Sequence, residues 1–223
     1  MSLDGRTFRG VVFDLDGVVA DSEPLHVQAW VEVLGALGVS LAALGEARLR
    51  SWVGVPDTDI VAGLVREHAL PLAAGELLAR KRSAYRRLIP RALTAFPGVG
   101  EALACWGGVP LGMATATARR EAELMLDTLG LRRVFRVLVA GDEVARPKPA
   151  PDGYRLAVER LGLAPQDCVA VEDAPHGVQA AKEAGLAVLG VLTSFAPQAL
   201  AAADRLFPTV LEAVQWLQAR VGS

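Results

Sequence analysis

The sequence predicts an α/β fold: a parallel sheet with flanking helices, interrupted after its first strand by an all-helical insert. Three observations predict it. Short uncharged apolar runs recur along the chain, helical periodicity fills the gaps between them, and one long stretch near the start has that periodicity with no such run.

The first run is Val11-Val12-Phe13, and it stops at Asp14. A short run rich in β-branched residues suits a strand covered on both faces. Residues 111–114, 137–140, 168–171 and 187–192 repeat the pattern. Between them, residues 117–129 set Leu124, Leu126 and Leu129 against Arg119, Arg120, Glu121 and Glu123, and residues 152–161 and 179–184 are also helical in pattern. The Ala-rich run 199–203 is expected to be helix. The stretch 22–89 has no strand signal. It divides into helices at 24–37, 41–52, 57–69 and 73–89, punctuated by Gly38, Gly54 and Pro71, with Ser22 as N-cap and Pro24 in the first turn. The chain therefore divides into a core of residues 1–20 and 91–223 and a helical domain of residues 21–90.

Composition excludes some partners. The 223 residues are 52% hydrophobic, so a packed core is expected and broad disorder is not. A net charge of −2 provides no basic excess for nucleic acid or an anionic membrane. The clusters Arg80-Lys81-Arg82 and Arg86-Arg87 are expected on a solvated helix face. Cys105 and Cys168 have no neighbour at metal-ligand spacing and suit thiols in a reducing compartment. The first nine residues lack an apolar signal, and no uncharged run is long enough to span a bilayer. A cytoplasmic monomer acting on a small molecule is the expectation.

The informative feature is where acidic residues fall. Ligands of open α/β sheets bind beyond the carboxyl ends of the strands. Asp14 and Asp16 lie past the first run, Thr115 at the end of the second, Lys148 in the loop after the third, and Glu172 and Asp173 at the end of the fourth. Taken singly, each has a plainer reading as a turn or a helix cap. Together they form a set suited to phosphoryl transfer. A phosphate monoester is doubly negative and repelled by carboxylates, so a divalent cation must bridge them, and magnesium prefers oxygen ligands. Asp14 and Asp173 supply such oxygens, and Glu172 assists directly or through water. Lys148 neutralises charge and Thr115 donates to a phosphoryl oxygen. Asp14 is placed to attack phosphorus, and Asp16 to act as acid and then base. Gly17 permits the tight turn that brings backbone amides near the phosphoryl group.

These residues also carry a resemblance. The run from Asp14-Leu15-Asp16-Gly17 to Pro24-Leu25-His26 resembles the first motif of the haloacid dehalogenase (HAD) superfamily, in the form of its β-phosphoglucomutase-like branch. Thr115 within Met113-Ala114-Thr115-Ala116-Thr117, Lys148 within Arg146-Pro147-Lys148-Pro149 and Glu172-Asp173 resemble the second, third and fourth. The resemblance implies a Rossmann-like core with a helical cap domain inserted after the first motif, hinged near residues 20–22 and 90–97. It also implies magnesium held by Asp14, the Asp16 carbonyl and Asp173, with Glu172 nearby. Gly17, His26, Trp52, Gly54, Ala116, Thr117 and Arg119 fall at positions expected to line the substrate. Trp52 is equally open to a place in the helical domain's core.

Within that branch the choice is between a phosphatase and a phosphosugar mutase. The mutases are similar in carrying a Lys and an Arg around a Gly of the cap loop. Here Val53 and Asp57 flank Gly54 at those positions. A bisphosphate intermediate needs cations there, so phosphatase is the favoured reading. Dehalogenation is set aside because it needs no second acid at Asp16. A non-catalytic scaffold would be expected to lack Asp14, Asp16, Lys148 or Asp173, and all are present.

Overall fold

A computed structural model describes residues 3, 5–39, 45, 48, 52, 55, 57–68 and 70–221. The chain forms two compact units, Met1–Asp21 with Thr94–Ser223, and Ser22–Leu93.

The larger unit is built on a six-stranded sheet. Its strands are β1 (Gly10–Phe13), β4 (Leu111–Ala114), β5 (Val137–Val139), β6 (Cys168–Glu172), β7 (Ala187–Val191) and β8 (Arg205–Phe207). Their order is β5-β4-β1-β6-β7-β8, and every pairing is parallel. Parallel strands need helical crossovers, which cover both faces and account for the uninterrupted apolar runs. Every residue of β1, β4, β6 and β7 is buried. Val12, Ala170 and Val188 are in register across β1, β6 and β7. They share one core cluster with Tyr154, Ala157, Val158 and Leu161 of helix α6 (Asp152–Leu161) and Val178 and Ala181 of α7 (Pro175–Glu183). Phe13, one residue on from Val12, points to the other face by the two-residue period of a strand, and there meets Phe135 edge-on at 6.1 Å. Helix α8 (Val210–Gln218) packs on β7, β8 and α4 (Val99–Ala104). Helix α5 (Arg119–Thr128) follows β4.

Two short strands, β2 (Ala20–Asp21) and β3 (Thr94–Ala95), pair antiparallel. This ribbon carries the chain out of the sheet unit and back. Strands of two residues are too short to show a period in sequence, and neither was expected. Strand β8 was also not expected, its Arg205 being exposed at a sheet edge. The run 199–203 is not the expected helix. Pro197 opens a single 3-10 turn, Pro197–Leu200, and the chain then turns directly toward β8.

The smaller unit contains α1 (Glu23–Gly35), α2 (Asp57–Glu67) and α3 (Ala74–Ala92), with α3 packed on both others. Pro24 sits in the first turn of α1, but the Ser22 hydroxyl makes no cap hydrogen bond; its carbonyl instead accepts from Leu25 and His26. Most of the helix expected at 41–52 lies outside the described residues. The basic cluster of α3 is not a uniformly solvated face. Leu77, Lys81, Ala84, Tyr85 and Leu88 form its buried stripe, and Lys81 is only 1% exposed, while Arg80 and Arg82 beside it are exposed. The helical period places residue 81 inward whatever its charge. The structure supplies the compensation: the Lys81 ammonium donates to both Asp57 oxygens (2.8 and 2.7 Å), lies 2.6 Å from His26 Nδ1, and sits over the rings of Trp30 and Tyr85.

Replacing Lys81 with Met keeps the stem but leaves Asp57 and His26 without their shared donor. Lys81→Met is expected to cost about 1–3 kcal/mol in urea unfolding, whereas Arg82→Met should stay within about 0.5 kcal/mol. Equal effects of the two substitutions would show that Lys81 is not a structural cation.

Candidate active site

The chain leaves β1 with β4 on one side and β6 on the other, at the point where the strand order reverses. Such a switch point opens a crevice beyond the strand ends. Asp14 follows β1, Thr115 follows β4, and Glu172 and Asp173 lie at the end of β6. The ladder brings them level: Phe13 pairs with Met113 and Val171, Asp14 N donates to Val171 O, and Thr115 N donates to Val139 O, each at 3.0 Å. All four residues are buried.

Lys148 reaches into this group from the loop between β5 and α6. Its Nζ is 2.9 Å from Asp14 Oδ1 and 2.6 Å from Glu172 Oε1. The two contacts differ in kind. Toward Glu172 the ammonium is aligned for a hydrogen bond, while buried Asp14 Oδ1 has charge attraction without an aligned donor.

Glu172 is more fully engaged. Oε1 accepts from Lys148 and from the Tyr154 hydroxyl, both at 2.6 Å, and Oε2 from the Asp173 and Ala174 amides at 3.2 and 3.4 Å. A carboxylate has about four lone-pair directions, and all of these are taken. The backbone of Gly177 lies against this carboxylate so closely that a Cβ there would overlap it.

Asp16 sits in the turn that leads to β2. Its Oδ2 accepts from the Thr117 hydroxyl at 2.6 Å, and Thr117 N donates to Thr115 Oγ1 at 3.0 Å. Gly17 has φ +74°, and a Cβ there would overlap the Asp173 carboxylate, so glycine is required on two counts. The Gly17 carbonyl accepts from Thr193 Oγ1 at 2.5 Å. Ser194 lies beside the Asp173 carboxylate and opposes the rise in its pKa.

Charge is unbalanced in this group. One ammonium faces Asp14, Asp16, Glu172 and Asp173. Burial, opposed by Lys148 and reinforced by the other carboxyls, holds the Asp14 pKa well above the usual carboxylate range. Burial and Glu172 push Asp173 up to about 7, against the pull of Ser194 and Lys148. Burial alone would lower the Lys148 pKa, but Asp14 and Glu172 together raise it. The group fits a small divalent cation. Asp14, Glu172 and Asp173 each offer an oxygen, and these oxygens lie within 4.8 Å of one another. Two oxygens on opposite sides of magnesium are about 4.2 Å apart, and Asp14 Oδ1 is a buried oxygen with no aligned donor. Asp14 and Asp173 are better placed as direct ligands than Glu172, whose lone pairs are occupied.

The other expected residues divide. Ala116 and Thr117 lie in the loop after β4, beside Asp16. Arg119 does not offer its charge to this group: its guanidinium is bound by Glu143, Glu123 (3.2 Å) and the Leu138 carbonyl (2.7 Å). His26 and Trp52 belong to the helical unit. There His26 stacks on Tyr85 at 4.1 Å and Trp52 meets Trp30 at 5.7 Å. Gly54 lies outside the described residues. Sequence reasoning missed Tyr154, Gly177, Thr193 and Ser194. A signal existed for three of them. Tyr154 places a hydroxyl on the apolar face of α6, where it needs a partner, and Thr193 and Ser194 follow β7 on the same sheet edge.

Known proteins resemble this chain closely. The family model for haloacid dehalogenase-like hydrolases matches residues 8–185. The fructose-1-phosphate phosphatase YqaB of Escherichia coli is 34% identical, over 82% of this chain and 96% of its own. A phosphorylated carbohydrates phosphatase of Thermotoga maritima is 35% identical over 82% and 85%. A Thermotoga maritima protein solved as a candidate β-phosphoglucomutase superposes with a TM-score of 0.81 at 33% identity, over 95% of this chain and 99% of its own.

In metal-free protein, Asp173 holds its proton up to about 7, against 3.8 for a carboxyl of the unfolded chain. Between those values the native state binds more protons than the unfolded chain, so stability falls as pH rises. The gain is complete below the unfolded value and lost as pH passes through about 7. Urea midpoints in EDTA should be higher at about pH 5 than at about pH 8, and Asp173→Asn should flatten this trend. An unchanged trend in the variant would assign it to other groups.

Proposed function

The chain belongs to the haloacid dehalogenase-like hydrolases, and from that premise we propose that it is a magnesium-dependent phosphatase acting on a small phosphorylated carbohydrate or polyol through an aspartyl phosphate on Asp14. The observation that carries this reading is the division between two neighbouring carboxyls. Asp14 lies against the Lys148 ammonium, and Asp16 against the Thr117 hydroxyl. One is set up to be a nucleophile and the other to exchange a proton. The relatives acting on fructose 1-phosphate and phosphorylated carbohydrates support the substrate class.

Magnesium, when bound, supplies the positive charge that lets a dianionic phosphate approach the carboxylates. We assign its direct hold to Asp14, the Asp16 carbonyl and Asp173, with Glu172 adding its negative charge close by. An Asp14 oxygen forms a bond to phosphorus as the bond to the leaving oxygen breaks, and protonated Asp16 gives its proton to that oxygen. Asp16, now ionised, takes a proton from water that attacks the aspartyl phosphate, which releases inorganic phosphate and restores Asp14. Thr115 donates to a phosphoryl oxygen, and Lys148 neutralises charge on Asp14 and the transferring group. The Gly17 turn and the Ala116–Thr117 loop form the phosphate's immediate walls.

The mutase reading has a structural likeness in its favour. Against it, Asp57 stands where that reading looks for an arginine, and its carboxylate already holds Lys81. We also propose a cytoplasmic location: both cysteines are free thiols, and among the described residues no helix is long and apolar enough to cross a membrane.

The test is phosphate release from a panel of sugar and polyol monophosphates, with magnesium or EDTA. Release is expected only with magnesium. Asp14→Asn should abolish it with the circular dichroism spectrum unchanged, and Asp16→Ala should slow it by about 100-fold or more. Turnover retained by Asp14→Asn, or no release from any compound, would overturn the reading.

A further inference from the structure

Tyr154 is fully buried, lies on the helix that follows the Lys148 loop, and has no part in the chemistry above. Its hydroxyl donates to Glu172 Oε1 at 2.6 Å, the same oxygen that Lys148 Nζ holds at 2.6 Å. The Lys148 ammonium also lies over the Tyr154 ring, 5.1 Å from its centre. We propose that Tyr154 is a positioning residue for phosphoryl transfer: by occupying one side of Glu172 Oε1, it keeps the Lys148 ammonium shared with Asp14.

The argument is geometric. Lys148 is held between two anions, at 2.6 Å from Glu172 and 2.9 Å from Asp14, with aligned hydrogen bonding only to Glu172. The ammonium has three donors and would pair more fully with Glu172 if that carboxylate were available to it. The other Glu172 oxygen is held by the amides of Asp173 and Ala174, and Gly177 backs the carboxylate so that it cannot retreat. The remaining freedom is at Oε1, and the phenol hydroxyl occupies it. Tyr154 has three functions here: it neutralises part of the Glu172 charge, restricts the direction from which Lys148 approaches, and lines one side of the ammonium with its ring. Phe would preserve the ring and its place in the core cluster that includes Val158 and Ala170 while removing only the hydroxyl.

This proposal rests on the phosphatase reading for its kinetic consequence but not for its structural one, and the experiment separates the two. Crystal structures of the wild type and Tyr154→Phe are compared, along with kcat and KM on the best substrate, alone and in a Glu172→Gln background. The variant is expected to move Lys148 Nζ more than 3.5 Å from Asp14 while it stays on Glu172. It should lower kcat about 5- to 20-fold with KM within about twofold, and have less than about a twofold effect once Glu172 is Gln, as coupled neighbours require. Lys148 unmoved in the variant crystal would overturn the proposal even if the wild type turned over no phosphomonoester, a result that would by itself count only against the phosphatase reading. A kcat loss that persists undiminished in the Glu172→Gln background would overturn it too. A purely structural role would lower the thermal midpoint and leave kcat, measured well below that midpoint, unchanged. Should Tyr154→Phe fail to fold, Tyr154→Leu also removes the hydroxyl donor while keeping an apolar side chain, and its Lys148–Asp14 distance decides the question in the same way.

Discussion

The end of the central strands gathers more negative charge than it can hold without help. Asp14, Glu172 and Asp173 are buried with oxygens inside 4.8 Å of one another. Two unit charges at that distance repel by on the order of 3 kcal/mol even at an effective dielectric of about 20, a sizeable part of the 5–15 kcal/mol that stabilises a typical domain. The protein meets this in layers. Lys148 sits between two of the acids, backbone amides and Tyr154 satisfy Glu172, Ser194 lowers the pKa of Asp173, and Thr117 donates to Asp16. The deficit that remains is met by a proton or by a divalent cation. On the proposed reading, only the cation would leave Asp14 as the carboxylate that a nucleophile must be, so the imbalance that costs stability would also favour the metal.

This crowding also explains which backbone positions tolerate no side chain. Gly17 lies in the turn after β1 and Gly177 in the first turn of α7, and each lies where a methyl would strike a carboxylate, that of Asp173 and of Glu172 respectively. The acids are therefore confined by main chain rather than by flexible side chains. Main-chain walls do not adjust when a charge appears or disappears, which is what preorganised electrostatics requires.

How much of this was legible in sequence follows from what each signal depends on. Strands β1, β4, β5, β6 and β7 were readable because burial on both faces demands unbroken apolar runs, and the motif residues were readable because strand ends are where such a sheet binds. Strand β8 and the β2–β3 ribbon were not, since an edge strand with exposed Arg205 and a two-residue ladder carry no run or period. Lys81 departs from the solvated face that its charge suggests because the spacing from Leu77 to Tyr85 places it on the inner stripe. Arg119 departs from expectation for a different reason: its partners, Glu143 and the Leu138 carbonyl, come from the next strand and its loop. Tertiary partners of this kind decide whether a cation is available, and local sequence does not contain them.

The helical unit shows the same principle and bears on substrate choice. Holding a second phosphate requires a cation with donors to give. The buried cation of this unit, Lys81, gives two hydrogen bonds to Asp57 and lies within 2.6 Å of His26 Nδ1. Turning it toward a ligand would leave Asp57 without this partner, and breaking such a pair from one side costs about 3–5 kcal/mol when it is fully buried. Asp57 is partly exposed, so the cost here is smaller, but it must still be met from the binding energy of any ligand that recruits Lys81. A monophosphate makes no such demand. Under the phosphatase proposal, the pairing of Asp57 with Lys81 is one more feature that weighs against a mutase's bisphosphate intermediate.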